Sequence, residues 1–135
     1  MDILGHGIDV IDIGRIGKLM AGSEDFLSGW FTSRELAALE ARGSQSRVVG
    51  GRIAAKEAVA KALGSGFAGE VSWQDIEIPA TNAGAPTVEL SGGAAELARS
   101  LGITKFVVSI SHSRTVAVAS AIAVGSTTAI PSQRT

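Results

Sequence analysis

Three stretches of the chain combine charged, hydroxyl and imidazole groups in ways that could do chemistry. The stretch "IDVIDI" at 8–13 places Asp9 inside a β-branched run, "RIAAKEAVAKALG" at 52–64 places Glu57 among alanines, and "SHS" at 111–113 joins two hydroxyls to an imidazole. An ionised carboxylate among apolar side chains is costly unless it is paired or bound to a metal. Asp9 therefore requires a partner.

Two interpretations apply to each carboxylate. For Asp9 they are hydrogen bonds to backbone amides or to an arginine, or a role as ligand of a hard cation. For Glu57 the alternative to a ligand role is an i, i+4 salt bridge with Lys61, worth about 0.3–0.5 kcal/mol. That salt bridge is a weaker explanation here, because the helix has few other exposed polar residues. Two carboxylates from separate elements beside basic residues are typical of a Mg²⁺ site that also holds a pyrophosphate.

The "SHS" turn also allows two interpretations. His112, taken alone, is more often a structural hydrogen-bonding residue than a catalyst. Together with Ser111, Ser113 and the following Arg114 it offers a set of groups that suits a phosphate ester. A serine hydrolase is disfavoured because the chain has no G-x-S-x-G motif. His6 is expected to be a structural or surface histidine.

Length and composition narrow the class of protein. The chain has 135 residues, which fits one domain with a real core, and 12 Lys and Arg against 13 Asp and Glu, for a net charge of -1. This balance argues against nucleic acid or an anionic membrane as a partner. The absence of cysteine excludes disulfides and thiolate metal sites and fits a cytoplasmic location. We expect neither a signal peptide nor a membrane-spanning segment.

One local excess of charge stands out. Residues 41–56 hold Arg42, Arg47, Arg52 and Lys56 and no acidic residue. Such a run usually forms a solvated face, and it could receive an acidic partner.

The spacing of apolar residues predicts the helices and strands that must position these groups. Alternation predicts a strand over 3–13, and the helical pattern of 14–41 predicts two short helices with a loop at 21–25, the second capped by Ser33. The central helix is expected to begin near Gly51 and to end at Gly64. Its predicted buried face comprises Ala55, Ala58, Val59, Ala62 and Leu63.

The second half of the chain reads as strands around a short helix. Two strands, 71–80 and 86–90, are expected to be joined by a turn at 81–84. The helix at 92–102 is predicted to bury Ala94, Leu97, Ala98 and Leu101. Runs at 105–111 and 115–124 predict an antiparallel hairpin. The fold class is therefore α+β, with one domain over 1–124 and a flexible tail over 125–135.

Three motifs carry a family resemblance. They are "GIDVIDIGRI" at 7–16, "GRIAAKEAVAKALGSG" at 51–66 and "VSISHSRTVAVASAIA" at 108–123. Together they resemble the holo-[acyl-carrier-protein] synthase family, the small 4'-phosphopantetheinyl transferases, and the likeness extends to about residue 123. The resemblance implies transfer of the phosphopantetheine arm of coenzyme A to a serine of apo acyl carrier protein. Adenosine 3',5'-bisphosphate would be released, as a step in fatty-acid biosynthesis.

The resemblance also implies roles for individual residues. Asp9 and Glu57 correspond to the Mg²⁺ ligands, and Lys61 corresponds to a lysine near the pyrophosphate, so that Glu57 and Lys61 are the catalytic pair. Arg52, Lys61, Ser111, His112 and Ser113 correspond to coenzyme A positions, and Arg15 to a region that meets the carrier protein. The serine proton would pass to Glu57 or to a metal-bound water, and the sequence does not choose between them.

The resemblance also implies the quaternary structure. We expect a homotrimer whose active sites lie between neighbouring subunits. One departure is the sequence Gly84, Ala85, Pro86, where the family usually has a basic residue between glycine and proline. This departure puts one phosphate contact in doubt and permits a rival function, a non-catalytic coenzyme A or nucleotide-binding module. A further rival is an assembly protein in which Glu57 and Lys61 form an ordinary ion pair.

Overall fold

A long central helix lies against a three-stranded antiparallel sheet. The computed structural model describes residues 1–64, 71–79 and 86–126. The elements in chain order are β1 (Asp2–Asp12), α1 (Ile13–Gly22), α2 (Phe26–Trp30), α3 (Ser33–Ala41), α4 (Ser46–Leu63), a 3₁₀ turn (Trp73–Asp75), β2 (Ile76–Glu77), β3 (Glu89–Leu90), α5 (Gly92–Leu101), β4 (Ile103–His112) and β5 (Val116–Gly125). The predicted α+β class is confirmed.

Strand β5 occupies the middle of the sheet, in the order β1-β5-β4, and both of its neighbours run antiparallel to it. The predicted hairpin of β4 and β5 is confirmed, with Ile110 opposite Ala119. The face of β5 that meets α4 consists of alanines that are almost fully buried, Ala117, Ala119, Ala121 and Ala123. Because these side chains are small, the helix packs close to the sheet.

Two glycines bring β1 against α4. A Cβ at Gly7 would overlap the carbonyl oxygen of Ala58, and a Cβ at Gly5 would overlap that of Ala62. Any larger residue would push strand and helix apart. Gly5 and Gly7 therefore fix the distance at which side chains of β1 and α4 can meet.

Helix α4 begins earlier than the sequence predicts. The helix starts at Ser46 and includes Gly50 and Gly51, which sequence reasoning treats as a break. A Cβ at Gly51 would lie 3.0 Å from Ile110 Cγ2, so this glycine serves close packing against β4. The predicted end is confirmed, because Gly64 adopts φ 81° and its N–H donates to the carbonyl groups of Ala60 and Lys61.

The predicted buried face of α4 is confirmed, but burial extends well beyond it. All five predicted residues are at most 6% exposed. The helix is also buried on its other sides, through Val49, Ile53, Ala54, Lys56 and Ala60. It is therefore the centre of the domain and not a one-sided surface helix.

The segment before α4 contains three helices where two are predicted. The short helix α2 (Phe26–Trp30) follows the loop, and Trp30 stacks on Trp73 with ring centroids 3.6 Å apart. Thr32, and not Ser33, caps α3: its hydroxyl accepts from the N–H of Glu35, whose carboxylate accepts from the N–H of Thr32. This reciprocal capping box makes Glu35 part of the start of the helix.

The elements between α4 and β4 are shorter than predicted. Strands β2 and β3 comprise two residues each, with Ile76 opposite Leu90. The predicted turn at 81–84 lies outside the described residues, as does Ala85. Helix α5 buries Ala94 and Ala98 as expected, but Leu97 is half-buried and Leu101 is exposed at its end.

The C-terminal boundary also moves slightly. Strand β5 runs to Gly125, one residue into the predicted tail. Residues 127–135 of that tail lie outside the described part of the chain.

The face of the sheet turned away from α4 is open. Alternation along β1 directs Ile8 and Val10 to this outer face, where they are 53% and 60% exposed. On β4, Val107 lies on the same face and is 48% exposed. Together these residues form an apolar surface on one chain.

Candidate active site

Asp9 and Lys61 meet where β1 crosses α4. Lys61 Nζ lies 3.0 Å from Asp9 Oδ1 and also donates to the carbonyl oxygen of Ile8 at 2.9 Å. The Asp9 side chain is 11% exposed and that of Lys61 is 51% exposed. Asp9 is thus paired with a lysine, which is neither of the partners first considered. The i, i+4 salt bridge between Glu57 and Lys61, the alternative interpretation of Glu57, does not form within the described residues.

Asp9 keeps one oxygen without a partner. Its Oδ2 atom is buried and has no hydrogen-bond partner among the described residues. Glu57 lies next to it: burial, and then the negative charge of Asp9, raise the pKa of Glu57 to about 7, while Lys61 opposes this rise. The two carboxylates therefore repel each other across a site that one ammonium does not fully neutralise.

This arrangement fits a hard divalent cation. The described residues contain no group of three or more histidine or acidic side chains that could bind a metal ion. The site offers the carboxylates of Asp9 and Glu57, and the Oδ2 atom of Asp9 is unsatisfied. Mg²⁺ suits such a site, because it is usually bound by one or two carboxylates and completes its coordination with water and phosphate oxygens.

Lys56 is not part of a solvated basic face, and this prediction is wrong. The side chain is fully buried, and its Nζ donates to Glu35 Oε1 at 2.7 Å, to the carbonyl of Ile76 at 2.7 Å and to that of Trp73 at 3.0 Å. All three donors of the ammonium are satisfied. Lys56 is thus an internal tether of α4, whereas Glu57 and Lys61 of the same helix lie at the site with Asp9.

The remaining basic residues of the run line a groove of about 200 Å³. Arg42, Arg47 and Arg52 share it with His112 of β4, and its other walls are Val48, Gly51, Pro86 and Ile110. Burial, and then the positive charge of Arg42, lower the pKa of Arg52, with partial compensation from Glu35. Three arginines thus line a groove in which the repulsion between Arg42 and Arg52 favours an anionic ligand.

The two serines beside His112 do not join the groove. Ser113 Oγ accepts from the N–H groups of Thr115 and Val116 at 3.2 Å each, so this hydroxyl holds the hairpin turn. Ser111 is exposed, and alternation along β4 places it on the outer face with Val107. A coenzyme A contact by either serine stays a prediction.

The carboxylate site and the basic groove lie on opposite sides of α4. Arg52 and Lys61 are nine residues apart, which corresponds to about half a turn around the helix and about 14 Å along it. A single chain therefore presents two separate charged sites, the carboxylate site and the basic groove. Sequence reasoning found the charged members of both, but not Pro86 or Ile110, because apolar walls carry no chemical signature.

Arg15 has a surface position on α1. Its backbone N–H donates to Asp12 Oδ1, which caps the helix, and its side chain is exposed. A role in contacting a carrier protein stays a prediction for this residue.

Comparison with known proteins assigns the chain to a class. A family model described as the 4'-phosphopantetheinyl transferase superfamily matches residues 5–119. The chain belongs to this superfamily.

Within the superfamily, its relatives are holo-[acyl-carrier-protein] synthases. The synthase of Natranaerobius thermophilus is 46% identical over 121 residues, covering 89% of this chain and 96% of the relative. The Helicobacter pylori synthase, solved in complex with coenzyme A, is similar in fold at TM-score 0.76 and 31% identity, covering 88% and 99% of the two chains. The Bacillus anthracis synthase, in complex with CoA (3',5'-ADP), gives TM-score 0.74 and 34% identity, covering 92% and 98%.

No helix in the described ranges is both long enough and apolar enough to span a membrane.

Proposed function

We propose that the protein transfers the 4'-phosphopantetheine arm of coenzyme A to a serine of apo acyl carrier protein and releases adenosine 3',5'-bisphosphate. The observation that carries this proposal is the meeting of Asp9, Glu57 and Lys61 at the crossing of β1 and α4. The relatives named as holo-[acyl-carrier-protein] synthases support it.

Asp9 and Glu57 would hold a Mg²⁺ ion. Their orientation is set by the glycines of β1 and by the buried length of α4. The unsatisfied Oδ2 of Asp9 is a ready ligand atom. When bound, the ion would supply positive charge that stabilises the pyrophosphate of coenzyme A as the bond to the bisphosphate breaks.

Lys61 is placed to bind the same pyrophosphate. Half of its side chain is exposed, so the ammonium can turn from Asp9 toward an anion without crossing the core. The serine oxygen forms a bond to the β-phosphorus while the bond to the leaving bisphosphate oxygen breaks. Lys61 would stabilise the negative charge that develops on that leaving group.

The proton of the attacking serine needs an acceptor near neutral pH. Glu57 has a pKa of about 7, which lies in the range that suits a general base. A carboxylate that binds a cation loses some of this basicity, so a solvent molecule in the site is the alternative acceptor.

The basic groove would bind the adenosine 3'-phosphate end of coenzyme A. Arg52 and His112 are the predicted coenzyme A residues that line it, and Arg42 and Arg47 add positive charge. An anion bound there would relieve the repulsion between Arg52 and Arg42.

A homotrimer would bring the two charged sites together. Since α4 separates the carboxylate site from the basic groove, a complete site requires the groove of a neighbouring copy. The exposed outer face at Ile8, Val10 and Val107 provides apolar surface for such an assembly. Light scattering should give three times the mass of the chain.

The carrier protein would approach the surface of α1. Arg15 and Lys18 are exposed there, and acyl carrier proteins are acidic, so their attraction should weaken with salt. We assign the reaction to fatty-acid biosynthesis in the cytoplasm, which agrees with a chain that has no cysteine.

A direct assay tests the proposal. Apo acyl carrier protein is incubated with coenzyme A, Mg²⁺ and the protein, and mass spectrometry measures addition of the phosphopantetheine arm. Glu57→Gln should abolish the addition, whereas Glu96→Gln, which removes the same charge from an exposed position on α5, should not. Binding of coenzyme A without any mass gain would favour the non-catalytic module instead.

A further inference from the structure

Lys61 and a divalent cation would compete for the same carboxylate. Lys61 Nζ is bound to Asp9 Oδ1 at 3.0 Å, and the other oxygen of Asp9 is the one without a partner. A cation coordinated by that second oxygen would lie close to the ammonium, on a carboxylate that is only 11% exposed. Little water separates charges at such a position, so their repulsion is poorly screened.

The contacts of Lys61 make its ammonium a stable rival. Besides Asp9 it binds the carbonyl oxygen of Ile8 at 2.9 Å, so one donor is directed to the carboxylate and another to the strand. Both acceptors belong to β1, whose distance from α4 is fixed by Gly5 and Gly7. A cation that enters must share Asp9 with this ammonium or displace it.

The exposed part of Lys61 offers a way out of this competition. The side chain is 51% exposed, so the ammonium can exchange its two oxygen acceptors for those of an anion at the surface. The pyrophosphate of coenzyme A is such an anion, and it would also bring oxygen ligands to the cation. This movement of the Lys61 ammonium would remove its repulsion of the cation and add its attraction to the pyrophosphate.

We propose that Lys61 opposes binding of a divalent cation at Asp9 until coenzyme A draws its ammonium away, so that cation and coenzyme A bind with positive coupling. The inference rests on the proposed function, because it takes Asp9 and Glu57 as the cation ligands. Coupling between two ligands is reciprocal, so the cation must raise the affinity for coenzyme A by the same factor.

The test measures cation affinity directly. Electron paramagnetic resonance of free Mn²⁺ gives the dissociation constant of the full-length protein with and without coenzyme A, corrected for Mn²⁺ bound by coenzyme A alone. In the wild type, coenzyme A should tighten Mn²⁺ binding by about tenfold or more, within the usual range of such couplings. Lys61→Gln should tighten Mn²⁺ binding in the absence of coenzyme A by a similar factor and should lose most of the coupling.

A matched control removes the same charge elsewhere. Arg99→Gln removes one positive charge from an exposed position on α5 and should leave both the Mn²⁺ affinity and the coupling unchanged. Circular dichroism of each variant checks that the fold is retained. Unchanged or weaker Mn²⁺ binding by Lys61→Gln without coenzyme A would overturn the inference.

Two further variants separate this inference from the proposed function. Asp9→Asn and Glu57→Gln should each weaken Mn²⁺ binding strongly. If neither does, the cation site itself is wrong and the inference about Lys61 fails with it. If both do while Lys61→Gln does not tighten binding, the site stands and only the role of Lys61 is refuted.

Discussion

The buried ion pair between Lys56 and Glu35 predicts a large loss of stability when either side chain is neutralised. The Lys56 side chain is 0% exposed and that of Glu35 is 3% exposed. Glu35 also accepts from the N–H groups of Thr32 and Ile78, so the pair joins α3, α4 and the chain at β2. Each of the variants Lys56→Met and Glu35→Gln removes one charge of the pair and leaves the other charge buried.

The expected loss in the free energy of unfolding follows from the contacts that the buried groups lose. In Lys56→Met the carbonyl of Ile76 loses its hydrogen bond from the ammonium, and the Glu35 carboxylate loses its counter-charge, whereas the carbonyl of Trp73 keeps its bond from the N–H of Ile76. Breaking a buried pair in this way costs about 3–5 kcal/mol, a large part of the 5–15 kcal/mol that stabilises a typical domain. For a chain of this length the melting temperature should fall by about 10–20 °C.

Urea unfolding followed by tryptophan fluorescence measures the free energy of unfolding. The double variant Glu35→Leu with Lys56→Met should lose clearly less than the sum of the single losses, because neither charge is then buried alone. Arg34→Gln is the control: it breaks the surface ion pairs of an exposed arginine with Glu89 and Glu77 and should leave the free energy of unfolding nearly unchanged. Single losses below 1 kcal/mol, or additive losses in the double variant, would refute the reasoning.

Three other predictions concern the site and the packing around it. Because the pKa of Glu57 is raised from 4.5 to about 7, the folded protein holds this proton over a range in which the unfolded chain has lost it. Stability without divalent cations should therefore fall as pH rises from 4.5 to 7, and melting curves of Glu57→Gln should show a smaller fall; an identical slope contradicts the assignment. Gly7→Ala, whose Cβ would overlap the Ala58 carbonyl, should lower the free energy of unfolding by about 2 kcal/mol or more, whereas Gly22→Ala, with open space around it, should be neutral or stabilising by up to about 1 kcal/mol. Arg52→Gln should raise KM for coenzyme A about tenfold or more with little change in stability, and an unchanged KM in steady-state kinetics would remove the groove from the coenzyme A site.

Local pattern was sufficient to predict several elements of the fold. Strand β1, helix α5 and the β4–β5 hairpin follow from periodicity and turn residues, which act within a few positions of the chain. Gly64 was identified as the end of α4 because its left-handed conformation suits glycine. The predicted start of α4 lies five residues too late, because Gly50 and Gly51 are part of the helix and form no turn, and Gly51 packs closely against Ile110 of the sheet.

The candidate site also has features that the sequence predicts and features that only the fold reveals. Asp9, Glu57 and Lys61 were predictable, since each is a charged residue in a setting that requires a partner. The burial of Lys56 was not predictable, because it depends on Glu35 and on carbonyls 17 and 20 residues away that only the folded chain brings together. The separation of the groove from the carboxylates follows from the course of α4 and not from the residue types.

That separation has a genetic consequence. If two impaired variants, Arg52→Gln and Glu57→Gln, are expressed in one cell, each supplies the half that the other lacks. Random mixing of equal amounts would give about one intact pairing in four, provided that sites form between copies. Restored growth from two defective alleles would thus reveal shared catalysis without any purification.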